Sequence, residues 1–158
     1  MTTTKIKTQK ELAGIISSKK KEGLLIGFTN GCFDVLHVGH IRYLEQAKRE
    51  CDILVIGVNS DDSVKKLKGN ARPVNPEGAR LEVLASLEQV DLLTLFGEET
   101  PAELIGSLTP DILFKGGDWD EDSVAGGKHV REHGGKVRII PYVEGYSTTD
   151  IIKKMKGA

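Results

Sequence analysis

The sequence predicts one α/β domain over residues 1–158, built on a five-stranded parallel sheet with helices on both faces. Three observations lead there. Five short apolar runs recur along the chain, at 24–29, 52–59, 90–96, 111–117 and 137–142. Segments of helical spacing separate them. The runs are apolar at successive positions, which suits strands buried on two faces rather than one.

Thr8-Gln9-Lys10-Glu11 has the form of a capping box and opens a first helix, with Leu12, Ile15 and Ile16 on one face and Gly23 at its end. Residues 1–22 thus form a helical extension ahead of the first strand, LLIGFT. A second helix begins near Val38, where Ile41, Leu44 and Ala47 keep helical spacing. DILVIGVN at 52–59 is the second strand, rich in β-branched residues. Residues 60–76 are polar, hold two prolines and show no period, so they predict a long loop. Asn75-Pro76 caps the next helix, whose stripe is Leu81, Leu84 and Leu87. VDLLTLF is the third strand, and Thr100-Pro101 opens a helix to about Leu108. DILFKGG is the fourth strand, with a glycine exit. A helix over about Val124–His133 lies between two glycine pairs, and VRIIPY is the fifth strand. STTDIIKKM is the last helix, capped by Ser147, with Asp150 placed to reach back to the cap.

With 28% charged and 39% apolar residues, the composition is that of an ordinary globular domain. A formal net charge of -1 gives no footprint for nucleic acid or an anionic membrane. The Lys19-Lys20-Lys21 run reads as a solvated helix end, where cations suit the helix dipole. No apolar run approaches the ~20 residues that span a bilayer. The polar opening MTTTKIKTQK is unlike a signal peptide, so the expectation is a cytoplasmic protein. Cys32 and Cys51 lie in unlike contexts and imply no disulfide framework; Cys51 reads as a small packed hydrophobe.

Parallel sheets bind ligands beyond the carboxyl ends of their strands. The unusual polar stretches fall there, at 29–40, 59–72, 115–119 and 142–150. TNGCFDVLHVGH (29–40) lacks the G-x-G-x-x-G dinucleotide fingerprint. His37 and His40 share one side of a helix's first turn. A helix N-terminus favours phosphate, and Gly39 would let a phosphate approach the backbone. A metal site on His37, His40 and Asp34, with Cys32 close by, is the competing reading. Lys66, Lys68, Arg72 and Arg80 are candidate phosphate clamps, while Arg80 and Asp34 suit structural roles as well. Asp118 could take a ribose hydroxyl, and Trp119 could stack on a base. Ser147 caps a second helix that also follows a strand exit, so two helix ends could cradle a polyphosphate.

GCFDVLHVGH resembles the H-x-G-H signature of nucleotidyltransferases, and EGYSTTDII resembles the second signature of their cytidylyltransferase-like branch. LKGNARPVNPEGAR, KGGDW and TQKEL resemble one subgroup, the heptose 1-phosphate adenylyltransferases. These occur free-standing or as the C-terminal half of a bifunctional kinase–adenylyltransferase. The resemblance spans nearly the whole chain. It implies a Rossmann-like fold, a homodimer, and ATP and a sugar 1-phosphate as substrates. By the same resemblance His37, His40 and Lys68 are catalytic. They would hold the nucleotide together with the Asn30, Gly31, Cys32 and Phe33 loop, Gly39, and the basic Lys66 and Arg72. Gly117, Asp118 and Trp119 would take ribose and base, and Ser147 and Thr148 the outer phosphates. Mg²⁺ would arrive with ATP, with no metal site built from the protein. Glycerol-3-phosphate cytidylyltransferases carry arginine where this chain has Tyr142 and threonine where it has Cys32; both departures favour the adenylyltransferases. A CTP-dependent enzyme, an FAD synthetase, and a non-catalytic nucleotide or metal sensor remain as alternatives.

Overall fold

A computed structural model describes residues 2–157. The sheet is parallel throughout, in the order β3-β2-β1-β4-β5. Its strands are β1 (Ile26–Gly31), β2 (Ile53–Asn59), β3 (Leu92–Phe96), β4 (Ile112–Gly116) and β5 (Lys136–Ile140). The helices are α1 (Gln9–Lys21), α2 (Val38–Arg49), α3 (Asp61–Lys68), α4 (Glu77–Ala85), α5 (Ala102–Leu108), α6 (Gly127–Glu132) and α7 (Thr148–Lys156). Short 3-10 turns lie at Thr2–Lys5 and Glu121–Ser123. The chain builds outward from β1 to β3, then crosses back to place β4 on the other side of β1. Connections therefore leave β1 and β4 in opposite directions, and a crevice opens at their carboxyl ends.

Alternation along the strands sends side chains into two cores. On one face Leu44 and Ala47 of α2 and Leu81 and Leu84 of α4 pack with Leu54, Ile56 and Phe114. On the other, Leu12 and Ile16 of α1 and Leu104, Ile105 and Leu108 of α5 pack with Ile26, Phe28, Val55 and Leu113. The first helix thus covers the sheet directly, with Leu12 and Ile16 fully buried. Lys20 ties its last turn to the α5–β4 corner, donating to the Thr109 carbonyl at 2.6 Å and pairing with Asp111 at 3.3 Å. Cys51 packs half-buried against the first core, as expected of a small hydrophobe.

Three local expectations are corrected. Residues 61–68 form α3 rather than loop. Its helix signal is electrostatic instead of apolar: Ser60 caps the Ser63 N–H at 3.2 Å, Asp61 and Asp62 open it, and Lys65, Lys66 and Lys68 close it, with Val64 its buried apolar residue. Asn75 does not cap α4; its side chain donates to the Asp34 carbonyl at 2.7 Å, and Pro76 occupies the cap position without a side-chain bond. The first strand starts at Ile26 and runs on through Asn30 and Gly31, which pair with Gly57 and Val58. Leu25 precedes it, exposed, with its N–H held by Asp52 at 2.7 Å.

Candidate functional site

The β1 exit turns sharply into α2. Phe33 adopts a left-handed φ of 47°, unusual for a bulky residue, and its buried ring lies against His40 at 5.6 Å between centroids. Asp34 follows with its carboxylate buried. It accepts from Arg72 Nε at 2.6 Å and from the backbone N–H groups of Val74 and Asn75 at 2.8 to 2.9 Å. Burial pushes the Asp34 carboxyl upward, but the Asn75 and Val74 N–H groups and the Arg72 guanidinium together hold it below its ordinary value. Both oxygens are engaged by the 72–75 loop, so Asp34 does not join His37 and His40 in a metal triad. Its role is to clasp that loop to the β1 exit.

Arg80 makes a second clasp. Its side chain is fully buried; it donates to the carbonyls of Asn75 (3.0 Å) and Cys32, and pairs with Asp61 at 2.9 Å. Three segments meet on one guanidinium, which a ligand cannot reach. Arg80 is structural. Arg72 is bound through Nε, while no other nitrogen of its fork has a partner among the described residues. Lys66 and Lys68 are exposed on the last turn of α3. The charges of Lys68, Arg80 and Arg72 all reach the Cys32 thiol; burial is the larger influence and raises its pKa, so Cys32 is no thiolate nucleophile.

His37 is the N-cap of α2. Its Nδ1 accepts the Gly39 N–H at 3.1 Å, and the Nδ1 of His40 accepts the His37 N–H at 3.2 Å. A neutral imidazole that accepts at Nδ1 carries its proton on Nε2. Both rings therefore keep an Nε2–H donor with no protein partner among the described residues. Burial lowers the pKa of both, and the neighbouring His37 helps bring His40 down to about 4. The rings lie 4.0 Å apart. Gly39 has a reason other than phosphate access: a Cβ there would come within 2.8 Å of the His37 ring. The missing side chain makes room for the cap.

The second helix end does converge on the first. Thr148 Oγ1 donates to the Val35 carbonyl at 2.8 Å. Ser147 caps α7 by accepting the Asp150 N–H at 3.3 Å; the Asp150 carboxylate does not complete a capping box. Tyr146 lies over His37, with rings near parallel at 22° and 6.3 Å apart. Two helix N-termini thus share one spot, with two imidazoles on it.

Across the crevice, β4 leaves through Gly117, whose φ of 100° suits glycine alone. The Tyr142 ring fills the space a Cβ would occupy there, yet is 72% exposed. Asp118 and Trp119 follow, both exposed. Lys115, half-buried at the end of β4, holds its ammonium 4.7 Å from the centroid of Trp119. Motif spacing does not single out Lys115 or Tyr146, and of the two roles it leaves open for Arg80 the structural one is what the fold shows. A lysine ending an otherwise apolar strand is a signal that could have marked Lys115. Tyr146 carries none.

Residues 28–154 match the family described as cytidylyltransferase-like. The chain is 52% identical over 145 residues to the bifunctional protein HldE of Paramagnetospirillum magneticum, covering 92% of this chain and 30% of that protein. It is 50% identical over 143 residues to HldE of Nitrobacter winogradskyi, covering 90% and 29%. The chain thus spans under a third of the length of these curated relatives. A lipopolysaccharide core biosynthesis protein from Thermoplasma volcanium is 30% identical, with a TM-score of 0.62, over 79% of this chain and 100% of that one. A pantoate-beta-alanine ligase from Francisella tularensis shares the fold, with a TM-score of 0.62 at 20% identity over 96% and 76% of the two chains. With its family signature running from β1 to α7, over the strand exits and helix ends just described, the chain belongs to the cytidylyltransferase-like family.

Proposed function

We propose that this chain is a nucleotidyltransferase that moves the AMP of ATP onto a sugar 1-phosphate, with D-glycero-β-D-manno-heptose 1-phosphate as acceptor and ADP-heptose and pyrophosphate as products. The observation that carries the reading is the pair of neutral imidazoles whose Nε2–H groups stay available at the joined ends of α2 and α7. The acceptor assignment is supported by the adenylyltransferase-like stretches of the sequence and by the relatedness to HldE and to a lipopolysaccharide core biosynthesis protein.

An oxygen of the acceptor phosphate attacks the α-phosphorus of ATP in line. A new P–O bond forms, the bond to the bridging oxygen of the β-phosphate breaks, and pyrophosphate leaves with the electron pair. The nucleophile is already anionic, so no proton need be removed. His37 and His40 donate to oxygens on which charge builds, and the α2 and α7 ends add oriented N–H groups. Lys68, Lys66 and Arg72, on α3 and the clasped loop, bind outer phosphates. The 30–33 segment lies against the nucleoside, with Gly117, Asp118 and Trp119 beside ribose and base.

Among the described residues no group of three His, Cys, Asp or Glu side chains could hold a metal ion. Mg²⁺ is proposed to arrive with ATP, where it would offset phosphate charge. Among the described residues no helix is long and apolar enough to cross a membrane. ATP as substrate fits action in the cytoplasm, and the family resemblance supports a homodimer.

Pyrophosphate release from ATP and from CTP, each offered with a panel of sugar 1-phosphates, tests the proposal. Release with ATP and the heptose 1-phosphate is expected. Preference for CTP with glycerol 3-phosphate, release only with FMN, or tight ATP binding without release under any condition overturns it.

A further inference from the structure

We propose that Lys115 is the anchor for the acceptor's phosphate, the group that attacks. This rests on the nucleotidyl-transfer reading of the site. The first argument is position. β1 and β4 are neighbours, with Phe28 beside Leu113. Two residues further along each strand, Asn30 and Lys115 point to the same face as that pair. That is the face of the α1 and α5 core, whereas α2, which carries His37 and His40, packs on the other. In-line transfer needs the leaving pyrophosphate and the attacking phosphate on opposite sides of the α-phosphorus. The helix ends and imidazoles stand on one side of the sheet's carboxyl edge. Lys115 stands on the other.

The second argument is that no carboxylate among the described residues pairs with Lys115. Four other buried or half-buried cations do have one. Arg72 pairs with Asp34, Arg80 with Asp61, Lys48 with Asp91 and Lys20 with Asp111. The Lys115 ammonium lies over the Trp119 face, with the Cys32 thiol as a neighbour. Its surroundings are dry enough that burial lowers its pKa. A desolvated, unpaired ammonium is unfavourable in the free protein and favourable once an anion arrives. It would hold one phosphate oxygen while another attacks; no proton or electron moves through it.

Lys115→Met and Lys115→Arg test this. In Lys115→Met the KM for the acceptor is expected to rise about tenfold or more, with the KM for ATP within about twofold of wild type. Lys115→Arg should recover most of the acceptor affinity. Lys115→Met should melt no lower than wild type, since an unfavourable charge is removed; a purely structural lysine would lower the melting temperature. An unchanged acceptor KM, or equal rises in both KM values, overturns the proposal. Trp119 is the single tryptophan, so its emission gives a readout independent of turnover. With a non-hydrolysable ATP analogue saturating, inorganic phosphate should shift that emission in wild type, with a midpoint about tenfold weaker in Lys115→Met. No response in wild type, or equal midpoints, overturns it. If wild type transfers to no sugar phosphate, the functional reading falls, and the phosphate titration still decides Lys115.

Discussion

Helices α1 and α2 open on the same kind of hydrogen-bonded device made from different side chains. At α1, Thr8 Oγ1 accepts the Glu11 N–H at 3.2 Å, and Glu11 accepts both the Thr8 N–H and the Thr8 hydroxyl at 2.8 Å. At α2, His37 accepts the Gly39 N–H and His40 accepts the His37 N–H. The first pair turns its polar groups on each other and lies open to solvent. The second uses one nitrogen of each ring and leaves the other, with its proton, facing away from the cap. Thr and Glu are among the favoured residues for this task, and imidazole is not. A helix that takes a poor cap where a good one would serve is marked for another use. The comparison predicts that damage at α2 appears in turnover, and damage at α1 in stability.

The largest expected effect follows from His40→Ala. Losing one donor to a developing oxyanion lowers turnover by about 100–1000-fold. The fold should survive, because the truncated ring sits at a helix end rather than in the packed core. Steady-state pyrophosphate release, with circular dichroism as the folding control, checks both halves. Wild-type turnover in His40→Ala would make α2's cap no different in kind from α1's.

His37→Asn sharpens the comparison. Asparagine is among the best N-caps, so its carbonyl can take over the Gly39 N–H and stability should stay within about 0.5 kcal/mol. The imidazole donor and the ring beneath Tyr146 are gone, so turnover is expected to fall about tenfold or more. Thermal melts and turnover on the same preparation separate capping from chemistry. The opposite pattern, a large stability loss with full turnover, would mean that His37 is there to cap.

Thr8→Ala is the control at α1. Removing the cap should cost about 1 kcal/mol, or about 2–4 °C in Tm for a chain this size. Turnover should not change, because α1 packs on α5 and the far face of the sheet. A tenfold loss of turnover would tie α1 to the site.

These two caps also show what a sequence makes visible. Thr8, Glu11 and Ser147 act on their own chain neighbours, and the pattern around them predicts their bonds. So does the alternation of apolar runs and helical stripes that yields the parallel sheet. The helix at 61–68 was missed because its cap and end charges, not apolar spacing, support it. Asn75 was misread because its partner is Asp34, far away in sequence. Clasps of this kind depend on strand order, and the order β3-β2-β1-β4-β5 is set by packing between distant segments. The candidate site divides the same way. His37, His40 and Ser147 were legible from spacing, and Lys115 left a trace as a lysine ending an apolar strand, whereas the place of Tyr146 over His37 and the burial of Arg80 between Cys32, Asp61 and Asn75 emerge only when distant segments are brought together.

The smallest expected effect lies in pH. Burial, and then His37, bring His40 down to about 4, below the 6.5 of an exposed imidazole. The unfolded chain therefore binds this proton first as pH falls. The stability that His40 contributes is fully present above 6.5 and declines as the pH drops towards 4. Glu11 differs. The Thr8 N–H, and then the Thr8 hydroxyl, lower its pKa below the ordinary carboxylate value, so its contribution is lost only in more acid solution. Between pH 7 and 5.5 the two caps therefore separate. His40 is partly exposed, so its share should amount to no more than about 2 °C in Tm over that window. In Thr8→Ala the slope of Tm against pH should match wild type, and in His40→Ala it should be shallower. Parallel slopes in all three proteins would mean that the ring at α2 titrates like a solvent-exposed histidine, free of the burial and the His37 charge that set it apart from the α1 cap.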